Sequence, residues 1–130
     1  MSWYLRMLQE VFLPLENNCS AYFQKYNWDK NNFDDWEEVK PSDFIIIEGV
    51  SSCRVEFRRF ISFGIYLELE REKRLERGLI RDGGEAMEQW FEWMKEEDEY
   101  LSAHRPDEFV NLIIRGDYIN EIDHYEFSLN

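Results

Sequence analysis

The run Ser42-Asp43-Phe44-Ile45-Ile46-Ile47-Glu48-Gly49 constrains the fold more than any other stretch of this chain. A short, β-branched apolar segment follows Pro41 and stops at an acid and a glycine. An unbroken apolar run of strand length is what a strand covered on both faces of a parallel sheet shows. Its surroundings alternate in period. Leu5, Leu8, Phe12 and Leu15, spaced by three and four, predict an amphipathic helix over 3–15. Residues 16–35 carry Asn, Asp, Lys and aromatics without a clean period and read as a long structured loop. Residues 53–60 read as helical and 62–69 as a second strand. A charged helix over 70–82 is punctuated by Gly83-Gly84. The longest helix spans 85–103, with Met87, Trp90, Phe91, Met94 and Leu101 near one side. It stops at His104-Arg105-Pro106, because the ring of Pro106 disfavours helical geometry in the residue before it. Residues 107–115 give a third strand, and 116–130 are too mixed to assign. This order predicts one α/β domain over 1–130, a parallel sheet flanked by helices.

Composition narrows the function. Apolar residues make up 44% of the chain and aromatics 17%, enough to build a core despite 33% charge. With 15 Lys and Arg against 28 Asp and Glu the net charge is −13. A chain this acidic does not neutralise duplex phosphates over a broad surface, which excludes nucleic acid as the expected partner. No apolar run reaches membrane-span length, and the start, Met1-Ser2-Trp3-Tyr4-Leu5-Arg6, lacks the layout of a signal peptide. Cys19 and Cys53 form no CxxC, and His104 and His124 lie far apart, so zinc has no support. The expectation is a cytoplasmic protein with reduced thiols and no membrane partner.

Three features could carry chemistry. Glu48 closes the apolar run, at the strand end where ligands of parallel sheets gather. It could hold a hydrated Mg²⁺, or it could simply mark the exit into solvent. Arg71, Arg74, Arg77 and Arg81 fall on one side of a helix. They could be a solvated face with pairs such as Glu70–Arg74, or a polyphosphate-binding stripe using bidentate guanidinium contacts. The loop Tyr22-Phe23-Gln24-Lys25-Tyr26-Asn27-Trp28-Asp29 offers stacking faces and amides to a flat polar ligand, or packs as a small satellite core. Ser51 and Ser52 read as helix caps, and Trp90 and Trp93 as packing residues. Absent from the sequence are GxxxxGK[ST], GxSxG and HExxH, for none of the six glycines precedes a lysine.

Several segments together resemble bacterial uridine-kinase-like P-loop kinases. They are Asp43–Ser52, Arg54, Phe57-Arg58, Tyr66-Leu67-Glu68, Arg71–Gly83, Trp90–Glu97 and His104-Arg105-Pro106, with Val11–Leu15 and Ala21–Asp29 upstream. The resemblance covers nearly all of 3–117. It implies a nucleoside-kinase-like parallel sheet lacking its first strand and P-loop. It further implies a family reaction that moves the γ-phosphoryl of ATP, with Mg²⁺, to a nucleoside or similar hydroxyl acceptor. By that resemblance Glu48 contributes to the Mg²⁺ site through water, and Arg74, Arg77 and Arg81 belong to the lid over the ATP phosphates. Tyr26 and Trp28 belong to the acceptor pocket, although Asn27 stands where the family usually has an acid. The phosphate cradle and the general base of such kinases have no counterpart, so the expected chain is a C-terminal portion, inactive alone. The alternative is a non-catalytic interaction or regulatory module on the same scaffold. The family's sheet places the P-loop strand between the strand ending at Glu48 and that at Ile65–Glu68. Its removal predicts unpaired edges, followed by closure of the sheet through a non-family pairing or by self-association.

Overall fold

The computed structural model describes residues 3–27 and 30–116, and the backbone of 127–129. They form a mixed α/β structure that divides into two compact units, Met1–Glu48 and Gly49–Asn130.

The first unit opens with a helical run: α1 (Trp3–Arg6), a π-helical stretch (Met7–Phe12) and α2 (Leu13–Glu16). Pro14 lacks an N–H and crowds the carbonyl four residues back, and the widened π turn immediately before α2 accommodates it. Asn17 and Asn18 end the run. The Asn17 amide donates to the Leu13 carbonyl at 2.7 Å, and Asn18 takes the left-handed backbone (φ 56°) that Asn tolerates. The expected loop over 16–35 is instead largely a hairpin of β1 (Ala21–Asn27) and β2 (Asn32–Val39), antiparallel from Ala21↔Val39 to Asn27↔Asn32. A register irregularity between Gln24 and Tyr26 breaks the alternation that would have signalled it. Val11, Phe12 and Ala21 are the buried apolar residues of this unit.

The predicted strand over 42–49 is not formed. Phe44–Ile47 has no strand pairing, and Phe44 and Ile46 are 90% and 91% exposed. Strand propensity expresses itself only against a neighbouring strand, and none of the described residues supplies one.

In the second unit a 3₁₀ helix (Val55–Phe60) leads to β3 (Ile65–Glu68), α3 (Arg71–Asp82), α4 (Met87–His104), the single turn α5 (Pro106–Phe109) and β4 (Leu112–Arg115). The two strands pair in parallel from Ile65↔Leu112 to Glu68↔Arg115, with the helices as the crossover that a parallel pair needs. β5 (Phe127–Leu129) adds antiparallel to β4, giving the order β3-β4-β5. The third predicted strand thus shrinks to Leu112–Arg115, and α5 takes its first residues. Phe57, Met94, Pro106 and Val110 are the largest fully buried side chains. α4 ends where predicted. Arg105 is forced left-handed (φ 41°) ahead of Pro106, where the α region is disfavoured. No helix among the described residues is long and apolar enough to cross a membrane.

Candidate functional site

The arginine stripe lies on α3 as its spacing predicts, yet its members meet different partners. Arg71 reaches Asp98 at 3.2 Å, and Arg74 reaches Glu97 and, at 4.0 Å, Asp98. Both carboxylates belong to α4, so this end of the stripe is a helix-to-helix tie. Arg77 donates to the Gly116 carbonyl at 3.1 Å and is exposed. Arg81 clamps the neighbouring Asp82 through two hydrogen bonds of 2.6 and 2.8 Å. Asp82 also accepts from the Trp90 indole at 3.0 Å. The Arg81 hydrogen bonds lead in holding the Asp82 carboxyl below its usual range, and the same bonds raise Arg81. Among the described residues Arg77 and Arg81 are therefore the two exposed stripe residues without an ion pair to α4, although the Arg81 guanidinium lies 5.7 Å over the Trp90 ring.

Trp90 packs on α3 at Gly78. A Cβ there would lie 2.4 Å from the indole, so only glycine admits this approach. Trp93 meets Trp90 edge-on with centroids 5.5 Å apart; Trp90 takes the expected packing role, while Trp93 is 42% exposed.

In the first unit Tyr26 stands edge-on to Phe33 across the hairpin at 5.4 Å, its hydroxyl donating to the Asn31 side chain. Asn27, at the position of the expected acid, hydrogen-bonds Asp34 at 3.1 and 3.2 Å. Lys30 joins Asp34 at 2.9 Å, and the Lys30 hydrogen bond is the chief reason the Asp34 carboxyl is lowered. Trp28 lies outside the described residues. Glu48 is exposed. No group of three His, Cys, Asp or Glu side chains that could hold a metal gathers among the described residues. A lone exposed carboxylate does not build a Mg²⁺ site, so at Glu48 the residues present do not fit a resident ion.

A cluster that sequence reasoning passed over surrounds the end of α4. His104 Nδ1 accepts the Val55 N–H at 3.2 Å, and its ring stacks on Tyr100 with centroids 5.1 Å apart. Arg58 donates to the carbonyls of His104, Arg105 (3.4 Å) and Cys53 (3.4 Å). Its guanidinium also lies 4.6 Å over the Phe109 ring. A cation on the last carbonyls of a helix is favourable on both hydrogen-bonding and dipole grounds. Burial pushes the Tyr100 phenol up to about 12 and raises the Cys53 thiol. No short motif announces this cluster, since its members are brought together from residues nearly fifty apart.

Comparison of the chain with protein-family models and with curated proteins finds no match in either.

Proposed function

We propose that this chain is the acceptor-and-lid portion of a uridine-kinase-like phosphotransferase, which works only once a P-loop-bearing strand completes its sheet. The observation that carries the reading is a pair of unsatisfied strand-forming stretches. β3 is an edge strand, hydrogen-bonded to β4 alone among the described residues. Ile65 and Leu67 are 50% and 72% exposed, and Phe44–Ile47 is extended in composition yet unpaired. By the resemblance each of these stretches is one that a P-loop strand pairs with, whether that strand lies on this polypeptide or another. In this reading Arg77 and Arg81 close on the nucleotide phosphates through their exposed guanidinium groups. By the resemblance Tyr26 belongs to the acceptor pocket.

One observation favours the rival, a non-catalytic module on the same scaffold: Arg71 and Arg74 are already committed to Asp98 and Glu97. Calorimetric titration with Mg·ATP separates the two. Weak binding that disappears in Arg77→Ala/Arg81→Ala supports the phosphotransferase portion. Binding indifferent to both substitutions overturns the phosphate role of the stripe and leaves the module, and silence at millimolar Mg·ATP shows that this chain alone holds no nucleotide site.

A further inference from the structure

We propose that His104 is a proton-operated clasp: neutral, it pins the Val55–Phe60 helix to the C-terminal end of α4, and protonated it lets that helix go. The proposal stands apart from the kinase reading and rests on the donor–acceptor arrangement. Val55 opens the 3₁₀ helix, and its N–H is one of the donors that such a start leaves without a partner inside the helix. Arg54, the residue ahead of it, offers no side-chain cap. The acceptor comes instead from His104 Nδ1, 49 residues away. An imidazole that accepts at Nδ1 carries its proton on Nε2, so the ring is neutral. Protonation places a second N–H at Nδ1, facing the Val55 N–H, and an attractive contact becomes donor against donor.

The groups around the ring decide how readily this happens. From the segment it binds come Arg54, Glu56 and Arg58, with Cys53 just ahead. From its own helix comes Tyr100, stacked on the ring, and Arg105 follows it in the chain. Among the described residues Glu56 is the carboxylate paired with the ring, its Oε2 3.9 Å from Nδ1, and Arg54 Nε shares the same oxygen at 3.4 Å as an ion pair and not a hydrogen bond. Burial, followed by the Arg54 charge, depresses the His104 pKa below its ordinary value, outweighing the help of Glu56. The clasp is therefore closed at neutral pH and yields to acid. A second tie survives protonation, because Arg58 bonds the backbone carbonyl of His104 and not its ring. Acid thus loosens the start of the 3₁₀ helix while its C-terminal half stays anchored.

Nitrogen-15 NMR of the whole chain tests this, with amide hydrogen exchange alongside. At pH 7.5 the ring nitrogens should report the neutral Nε2–H tautomer, and the Val55 amide should be protected relative to its intrinsic exchange rate. As pH falls below the ordinary histidine range, Val55 opening should rise about tenfold per unit until the native His104 pKa is passed. Arg58-bound residues at the end of α4 should keep their protection. His104→Asn, whose amide oxygen can accept but does not titrate, should keep Val55 protected across the range. Val55 protection independent of pH in the natural chain overturns the proposal. So does an acid transition that persists unchanged in His104→Asn, or a ring already in the Nδ1–H tautomer at pH 7.5.

Discussion

At the scale of single residues, the arginine helix shows what spacing reveals and what it hides. A repeat of three, three and four places Arg71, Arg74, Arg77 and Arg81 on one side of α3 from sequence alone. That Glu97 and Asp98 would claim the first two depends on how α4 lies against α3, which no local spacing encodes. Gly78 is similar: in sequence it looks like a weak point of a helix, yet it is the seat of Trp90. Two opposing magnitudes meet there. Alanine in a helix interior gains about 1 kcal/mol over glycine, whereas forcing a methyl into a filled space costs about 1–3 kcal/mol. With the indole 2.4 Å from the new Cβ, the steric cost prevails, and Gly78→Ala should lower stability in urea unfolding. In a Trp90→Leu background the same change should become neutral or stabilising. A Gly78→Ala protein as stable as the natural one would show that the indole yields freely. Arg58→Ala removes three carbonyl contacts and a ring contact at once. It should cost about 2 kcal/mol by the same measurement, on the scale of hydrogen bonds to a charged group, with Arg58→Lys restoring only part because it lacks the planar fork.

At the scale of elements, helices were legible and strands only in part: β3 and β4 lie inside the predicted strands over 62–69 and 107–115 and pair in parallel, whereas the predicted strand over 42–49 is absent. α3 and α4 fall within a residue or two of their predicted bounds, since a helix draws its signal from its own periodicity, caps and following proline. Strands depend on partners far away. The strongest apolar run, Phe44–Ile47, is no strand in this structure, while the polar, aromatic stretch 21–39 is a hairpin. Lys25–Glu37 (2.8 Å), Tyr22–Glu38 (3.1 Å) and the Gln24 amide on the Asp34 carbonyl (2.9 Å) tie the hairpin across its strands. Such cross-strand pairs are the unit of sheet stability, and they appear only once the register is known. The failure at 44–47 has a consequence that can be measured. A side chain about nine-tenths exposed gains almost nothing from folding, so Phe44→Ser/Ile46→Ser should move stability by no more than about 0.5 kcal/mol. The same pair forms part of an exposed apolar patch of high strand propensity, the kind that promotes association. Light scattering at increasing protein concentration should therefore show the double variant less associated than the natural chain. A large loss of stability would instead place this run in a packed environment.

At the scale of the whole molecule the dominant quantity is charge. A net charge of −13 on 130 residues repels itself in the folded state more than in an expanded one, and screening relieves that repulsion. Local pairs such as Lys30–Asp34 and Arg81–Asp82 pull the other way, for salt weakens exposed ion pairs. Exposed pairs are individually weak, whereas the excess of thirteen negative charges acts on every part of the surface. Repulsion should win at pH 7, and the melting temperature should rise as salt is added from low ionic strength. Acid changes the balance in a fixed order. His104, with a depressed pKa, contributes stability that is full above the ordinary histidine value and is lost as pH falls through its lower native value. Asp34, Glu38, Glu56 and Asp82 are also depressed, so their contributions persist to lower pH and fade as pH drops through their native values. Meanwhile net repulsion vanishes near the isoelectric point of about 4.5. Melting curves of His104→Asn at several salt concentrations separate these terms. The salt-induced rise should be large at pH 7, shrink steadily toward pH 4.5, and there give way to a fall, because only attractive pairs remain to be screened. A salt response of constant sign and size from pH 7 to 4.5 would mean that specific pairs, and not the global excess of carboxylates, set the stability of this fold.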